Sequence, residues 1–184
     1  MSRVITFSPK FPSYHPKAGE STNFEAAIWK GLKKNHLQDK TYSIYISHPK
    51  LLKSGYWQIP IGWRDLMVDD YFKPKYHTIR AGNRWKVGDV FSPRVWSNTP
   101  YKSKQIIIGP DIEIKKEWQF ELHLGHYFKI NGRLYDGEVE GHHELLEKIA
   151  FNDGLGYRYY YDLTDWFPKQ FYGQIICWNE DIYY

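Results

Sequence analysis

The sequence predicts an α+β domain built on a small, barrel-like sheet of about six strands, with two or three helices. Three observations carry this. Residues 111–124 alternate apolar and polar with period two, and two other segments carry apolar stripes of helical period. The helices fall between the first and second strands and again before the last, an order that argues α+β. A length of 184 residues fits a single domain, 1–184, with room for an insertion. Folding at this size hides roughly 70% of the unfolded surface, so no covalent staple is needed.

Val4 to Phe7 reads as the first strand, followed by a Pro- and Ser-rich loop to about Ser21. Thr22 and Glu25 have the T-x-x-E spacing of a capping box, in which the two side chains satisfy the first free N–H groups of a helix. Phe24, Ala27, Ile28, Gly31 and Leu32 then line one helical face. Residues 32–73 show no sustained period beyond a strand-like Tyr42–Ile46, and read as an insertion with local structure of its own.

His77–Arg80 is strand-like, Val87-Gly88-Asp89 a turn, and Val90–Trp96 and Lys104–Ile108 further strands. From Asp111 to Leu124 the even positions hold Ile112, Ile114, Trp118, Phe120, Leu122 and Leu124, with Lys116 the one polar break. No helix produces that alternation, and its length predicts one bent strand serving both sides of a small barrel. Asn131-Gly132 between two apolar runs predicts a type I′ hairpin. Leu145, Leu146, Ile149 and Ala150 mark a second helix, stopped by Asn152-Asp153-Gly154. Tyr160–Phe167 reads as a third, stopped by Pro168, and Phe171–Trp178 as a closing apolar strand.

Hydrophobic residues at 42% and charged residues at 25% exclude a disordered or fibrous chain. No run approaches the apolar length of a membrane-spanning helix, and the first ten residues lack the apolar stretch of a signal peptide, so a cytoplasmic protein with no membrane partner is expected. Cys177 is the sole cysteine, which excludes an internal disulfide and a cysteine-based zinc site. The histidines at 123, 126, 142 and 143 lack the His-x-x-x-His helical spacing, and no glycine-rich phosphate loop is present. No metal and no cofactor are expected.

Charge is unevenly spread. Lys73 to Lys104 holds eight basic residues against Asp89 alone, a local +7 in a chain whose net charge is +4. Tyr76, Trp85, Phe91, Trp96 and Tyr101 are interleaved with these cations. Cations beside aromatic faces suit a polyanion with unstacked bases, hence RNA. The competing reading is a solvated strand face whose aromatics turn inward.

Ile5-Thr6-Phe7, the helix with Phe24, Ile28 and Gly31, and then Lys75-x-x-Thr78-Ile79-Arg80 together resemble the opening of ASCH domains, which belong to the PUA-like superfamily of small β-barrels. Lys86-Val87-Gly88-Asp89 resembles the turn into that family's next strand. The helix end at Leu146–Gly154, a short helix and a final strand follow in the family's order. The resemblance covers both ends of the chain and departs from the family over residues 32–73, where ASCH domains have a short connection. It implies recognition of RNA or of a modified base. One branch is similar to 4-acetylcytidine amidohydrolases, whose Lys, Thr three residues later and distant carboxylate correspond here to Lys75, Thr78 and Asp153. That branch carries Glu where this chain has Asp153, one methylene shorter.

Two readings of the site follow, and a third sets it aside. In the first, Arg80, Arg84, Trp85, Lys86 and Arg94 contact base and phosphate. In the second, Thr78 attacks an N-acyl carbonyl while Lys75, neutral enough to take its proton, acts as base and Asp153 passes a proton to the leaving amine. An ordinary lysine has its pKa near 10.4. Desolvation or a neighbouring cation such as Arg80 would have to lower it, against the pull of Asp153. In the third, the insertion with Trp57, Trp63 and Tyr71 docks a partner. Each residue also has a plain role: Lys75 on a phosphate, Thr78 packed in a strand, Asp153 at a helix end, Arg80 against an internal carboxylate, Trp85 covering a barrel end.

Overall fold

Nine strands and three helices are formed by residues 3–32, 73–123, 126–155 and 160–184, the residues that the computed structural model describes. The strands are β1 (Arg3–Thr6), β2 (His77–Ala81), β3 (Val90–Trp96), β4 (Gln105–Ile107), β5 (Ile112–Glu113), β6 (Lys116–Leu122), β7 (Tyr127–Ile130), β8 (Arg133–Asp136) and β9 (Phe171–Cys177). The helices are α1 (Phe24–Gly31), α2 (His142–Asn152) and α3 (Tyr161–Thr164). The fold is therefore α+β, with more and shorter strands than the half-dozen expected. The insertion, with Trp57, Trp63 and Tyr71, lies outside the described residues apart from its two ends. Among the described residues no helix is long and apolar enough to cross a membrane.

The strands form two sheets. One has the order β1-β3-β4, with β5 also paired to β3; the other has the order β2-β9-β6-β7-β8. Among the described strands no pairing closes either sheet on itself. Two compact units separate among these residues, drawn from Met1–Phe72 with Val90–Ile112 and from Lys73–Asp89 with Glu113–Tyr184.

In the first unit β1 runs parallel to β3, and β4 antiparallel to it. The stripe of α1 is buried through Phe24, Ala27 and Ile28, and Trp29 donates its indole N–H to the Ile108 carbonyl at 2.8 Å. The expected capping box does not form. The Thr22 hydroxyl donates instead to the Ser8 carbonyl at 2.7 Å, and the N-cap is Asn23, at φ 52°. The helix thus starts one residue later than the box requires, and Glu25 turns into the interior.

In the second unit β9 occupies the interior of an antiparallel sheet, between β2 and β6. Its sequence suits an interior strand with a neighbour on each side; Ile175, Ile176 and Cys177 are fully buried. The long strand expected over 111–124 is broken at Ile114-Lys115. There Ile114 exchanges backbone hydrogen bonds with Gly88 and Asp89, and the Lys116 ammonium reaches the Glu180 and Ile182 carbonyls. Its two pieces serve different sheets, and the alternation holds, with Ile112, Ile114, Trp118, Phe120 and Leu122 buried. The hairpin of β7 and β8 turns through Asn131 at φ 49° and Gly132 at φ 82°, the two positive values a type I′ turn demands.

Candidate functional site at the outer edge of β2

Among the described strands β2 pairs with β9 alone. Tyr76, ahead of β2, accepts from the Trp178 N–H, and Gly82 donates to the Tyr172 carbonyl. In this register the even-numbered residues of β2 bond to β9, so the backbone groups of His77 and Ile79 point away from β9. An open edge is a liability unless something satisfies it. Here the end of α2 does so: the Tyr76 N–H donates to the Asn152 carbonyl at 2.8 Å, and the Ile79 N–H donates to the Asp153 carboxylate.

Asp153 owes its place to the way α2 ends. Gly154, at φ 77°, donates to the Phe151 carbonyl and Leu155 to that of Ala150, the paired bonds of a Schellman motif. Asp153 is the C-cap, so its helix-end role and its place in the site are the same fact.

Lys75, fully buried just before β2, closes the arrangement. Its ammonium lies 2.9 Å from Asp153 Oδ1 and donates to the Asp153 backbone carbonyl at 2.5 Å. A cation is favoured there by the negative end of the α2 dipole. Burial pushes both partners toward their neutral forms. It lowers Lys75 to about 8 against the pull of Asp153, with Arg80 also lowering it. It raises Asp153 against the opposing effects of Lys75 and Arg80.

His77 completes the cluster. It is fully buried, with Nδ1 3.5 Å from Asp153 Oδ1 and Nε2 3.1 Å from the Ile149 carbonyl. Burial, then the Lys75 charge, holds its pKa well below the ordinary histidine value. The Tyr184 ring stands edge-on to the imidazole at 5.6 Å, and its hydroxyl accepts from the Asn152 amide at 2.8 Å.

The opposite face of β2 is polar. Thr78 and Arg80 point there, in register with Ile176 and Gln174 of β9 and then with Glu117 and Gln119 of β6. The fully buried Gln174 amide accepts from the Trp85 N–H and donates to the Trp85 carbonyl, both at 3.0 Å, and also donates to the Glu117 carboxylate. One side chain thus holds the loop after β2 as a neighbouring strand would. Arg84 and Lys86, on either side of Trp85, are exposed.

The structure therefore brings Lys75 and Asp153 together, with the Arg80 charge near enough to act on both. No hydrogen bond joins the Thr78 hydroxyl to Lys75 or Asp153 among the described residues. Two expectations are corrected. Lys75 does not meet a phosphate at the surface, because it is buried against Asp153. Trp85 offers no open stacking face: it is 2% exposed, and the Arg84 guanidinium lies 6.0 Å from its ring centre. Arg94, on β3, is half-buried and bonded to Ser92 and Gln105. Among the described residues no three His, Cys, Asp or Glu side chains gather as a metal site.

Sequence reasoning missed His77, Gln174 and Tyr184. Gln174 left a signal, being the one strongly polar residue in the apolar closing strand; the other two left none. Comparison with protein-family models, with curated proteins and with solved structures returned no match.

Proposed function

We propose that this chain is an ASCH-like module of the PUA-like class that recognises RNA, and within it a modified nucleobase or nucleoside, at the edge of β2. The observation that carries the reading is the buried Lys75–Asp153 pair at the start of β2, with the Arg80 charge near enough to act on both, followed at once by a loop that exposes Arg84 and Lys86. A guanidinium beside a buried ion pair suits the hydrogen-bonding edge of a base, and loop cations suit the phosphates flanking it. The order β1, α1, β2, turn, later α2, α3 and β9 supports the PUA-like assignment. The reading includes a cytoplasmic location, where RNA and its nucleosides are at hand.

Hydrolysis of an N-acylated cytosine is the second reading. Its particular support is a buried lysine lowered to about 8 and hydrogen-bonded to a carboxylate, close to the neutral amine a general base needs. It requires a substrate carbonyl seated on the Thr78 face of β2, within reach of both the hydroxyl and the Lys75 amine.

One set of proteins tests both. Fluorescence polarisation with a short single-stranded RNA is expected to show binding that weakens as salt rises and falls tenfold or more in Arg80→Ala, a loss of about 1.4 kcal/mol. No binding at low salt would remove the first reading. Incubation with 4-acetylcytidine, followed by chromatography of the nucleosides, decides the second. Conversion to cytidine that disappears in Lys75→Ala supports hydrolysis, and absence of conversion by the wild type removes it.

A further inference from the structure

His77 faces Asp153 in a way that ordinary protonation does not explain. The Ile149 carbonyl has no proton to give, so the 3.1 Å contact with Nε2 requires that nitrogen to carry one. A neutral imidazole protonated at Nε2 leaves Nδ1 a bare lone pair. That lone pair meets Asp153 Oδ1 at 3.5 Å, in an interior where, among the described residues, neither atom has another hydrogen-bond donor except the Lys75 ammonium beside the oxygen. Two acceptors in contact away from water repel, and a proton placed between them turns repulsion into a hydrogen bond.

We propose that His77 is a positioning residue: its Nδ1 accepts a hydrogen bond from protonated Asp153, and so allows the Lys75–Asp153 ion pair to pass into a neutral amine beside a neutral carboxylic acid. The step is internal. One Lys75 Nζ–H bond breaks, one Asp153 Oδ1–H bond forms, and the new O–H donates to His77 Nδ1. No proton enters or leaves, and the charge of the group is unchanged. Lys75 keeps a lone pair and two N–H groups, and can still donate to the Asp153 backbone carbonyl.

Among the described residues, every titratable group facing the imidazole fits this exchange. Lys75 and Asp153 are its parties. Arg80 adds positive charge near both, which favours loss of the lysine proton and opposes protonation of the carboxylate. Cys177, opposite His77 in the β2–β9 register, is pushed up to about 11 by burial and stays a thiol. The Tyr184 hydroxyl is raised by burial and stays neutral. Burial likewise holds His77 neutral, which keeps Nδ1 available as an acceptor. Use of the neutral amine as a base rests on the hydrolase reading; the proton arrangement does not.

The test is spectroscopic and independent of any substrate. Long-range 1H–15N spectra of the protein labelled at histidine are expected to show His77 neutral and protonated at Nε2 from pH 6 to 9. Its Nδ1 resonance should be displaced toward the protonated position, and that displacement should vanish in Asp153→Ala. In 13C-lysine protein, the Lys75 titration should move up by a unit or more in His77→Phe, which keeps a buried ring but removes the acceptor and so holds Asp153 ionised. An Nδ1–H tautomer, an imidazolium at pH 7, or a Lys75 titration unmoved in the variant would overturn the proposal. The tautomer is read on the wild type, so it decides even if His77→Phe does not fold. Absence of 4-acetylcytidine turnover alongside the expected spectra would remove the hydrolase reading alone.

Discussion

Glu25 illustrates what a single misplaced charge does to stability. It sits in the first turn of α1, 4% exposed, and its Oε1 has no hydrogen-bond partner. Burial raises its pKa from 4.5 to about 7, only partly opposed by its own backbone N–H. Below pH 4.5 both folded and unfolded chains hold the proton, and Glu25 costs nothing through linkage. Between 4.5 and 7 the unfolded chain ionises and the folded one does not, so stability falls as pH rises, and above 7 the full penalty stands. That penalty is about 3 kcal/mol at 1.36 kcal/mol per unit. Asp153 is raised by the same cause and shares the sign. Lys75, lowered by burial, has the opposite one: stability rises between about 8 and 10.5, where the unfolded chain keeps a proton the folded one has lost. A variant difference is therefore cleaner than a raw pH profile. Glu25→Gln is expected to gain about 3 kcal/mol more in urea unfolding at pH 8 than at pH 4. An equal effect at both would mean that the carboxylate is ionised in the fold.

The strands are held at a close approach that one residue permits. A Cβ on Gly173 of β9 would lie 2.1 Å from the Arg80 carbonyl and 2.7 Å from the Phe171 ring. The first obstacle is backbone in β2, which cannot swing aside as a side chain can. Gly173→Ala is expected to cost about 3 kcal/mol in urea unfolding, at the upper end for overpacking, because the whole β2–β9 register must shift. A loss below about 0.5 kcal/mol would mean that the two strands lie further apart. Such a constraint cannot be read from the sequence, where Gly173 interrupts an apolar run without a turn residue beside it. Local chemistry could be read: Asn131-Gly132 and Asp153-Gly154 each name a backbone conformation that few other pairs adopt. The capping box failed because its spacing is equally met when the carboxylate turns inward and Asn23 takes the cap. Lys75 and Asp153, 78 residues apart, came from resemblance alone, since no local period encodes such a contact. His77 escaped because strand alternation marks which face a residue takes and says nothing of its proton.

At the scale of the whole chain, the structure divides the basic run that suggested a polyanion partner. Lys73, Lys75, Arg80, Arg84 and Lys86 fall in one unit, and Arg94, Lys102 and Lys104 in the other. Burial thins it further, removing Lys75 and partly covering Lys73, Arg80 and Arg94. The exposed cations reduce to Arg84 and Lys86 after β2, and Lys102 and Lys104 in the turn between β3 and β4. That turn also presents Tyr101, 86% exposed and 5.4 Å from the Trp96 ring, the open aromatic face that Trp85 does not supply. Salt dependence tells which of the two groups an RNA contacts. Each phosphate contact on a single strand contributes about 0.7 to the slope of log affinity against log salt. If the strand edge beside Lys75 and Asp153 binds RNA, replacing Arg84 and Lys86 together by Gln lowers that slope by about 1.4, and replacing Lys102 and Lys104 leaves it unchanged. The reverse result would move the binding surface to the β3–β4 turn and leave the buried pair with a structural task. Arg80→Ala distinguishes base from phosphate within the first outcome: lost affinity at an unchanged slope is the mark of a contact to a base edge.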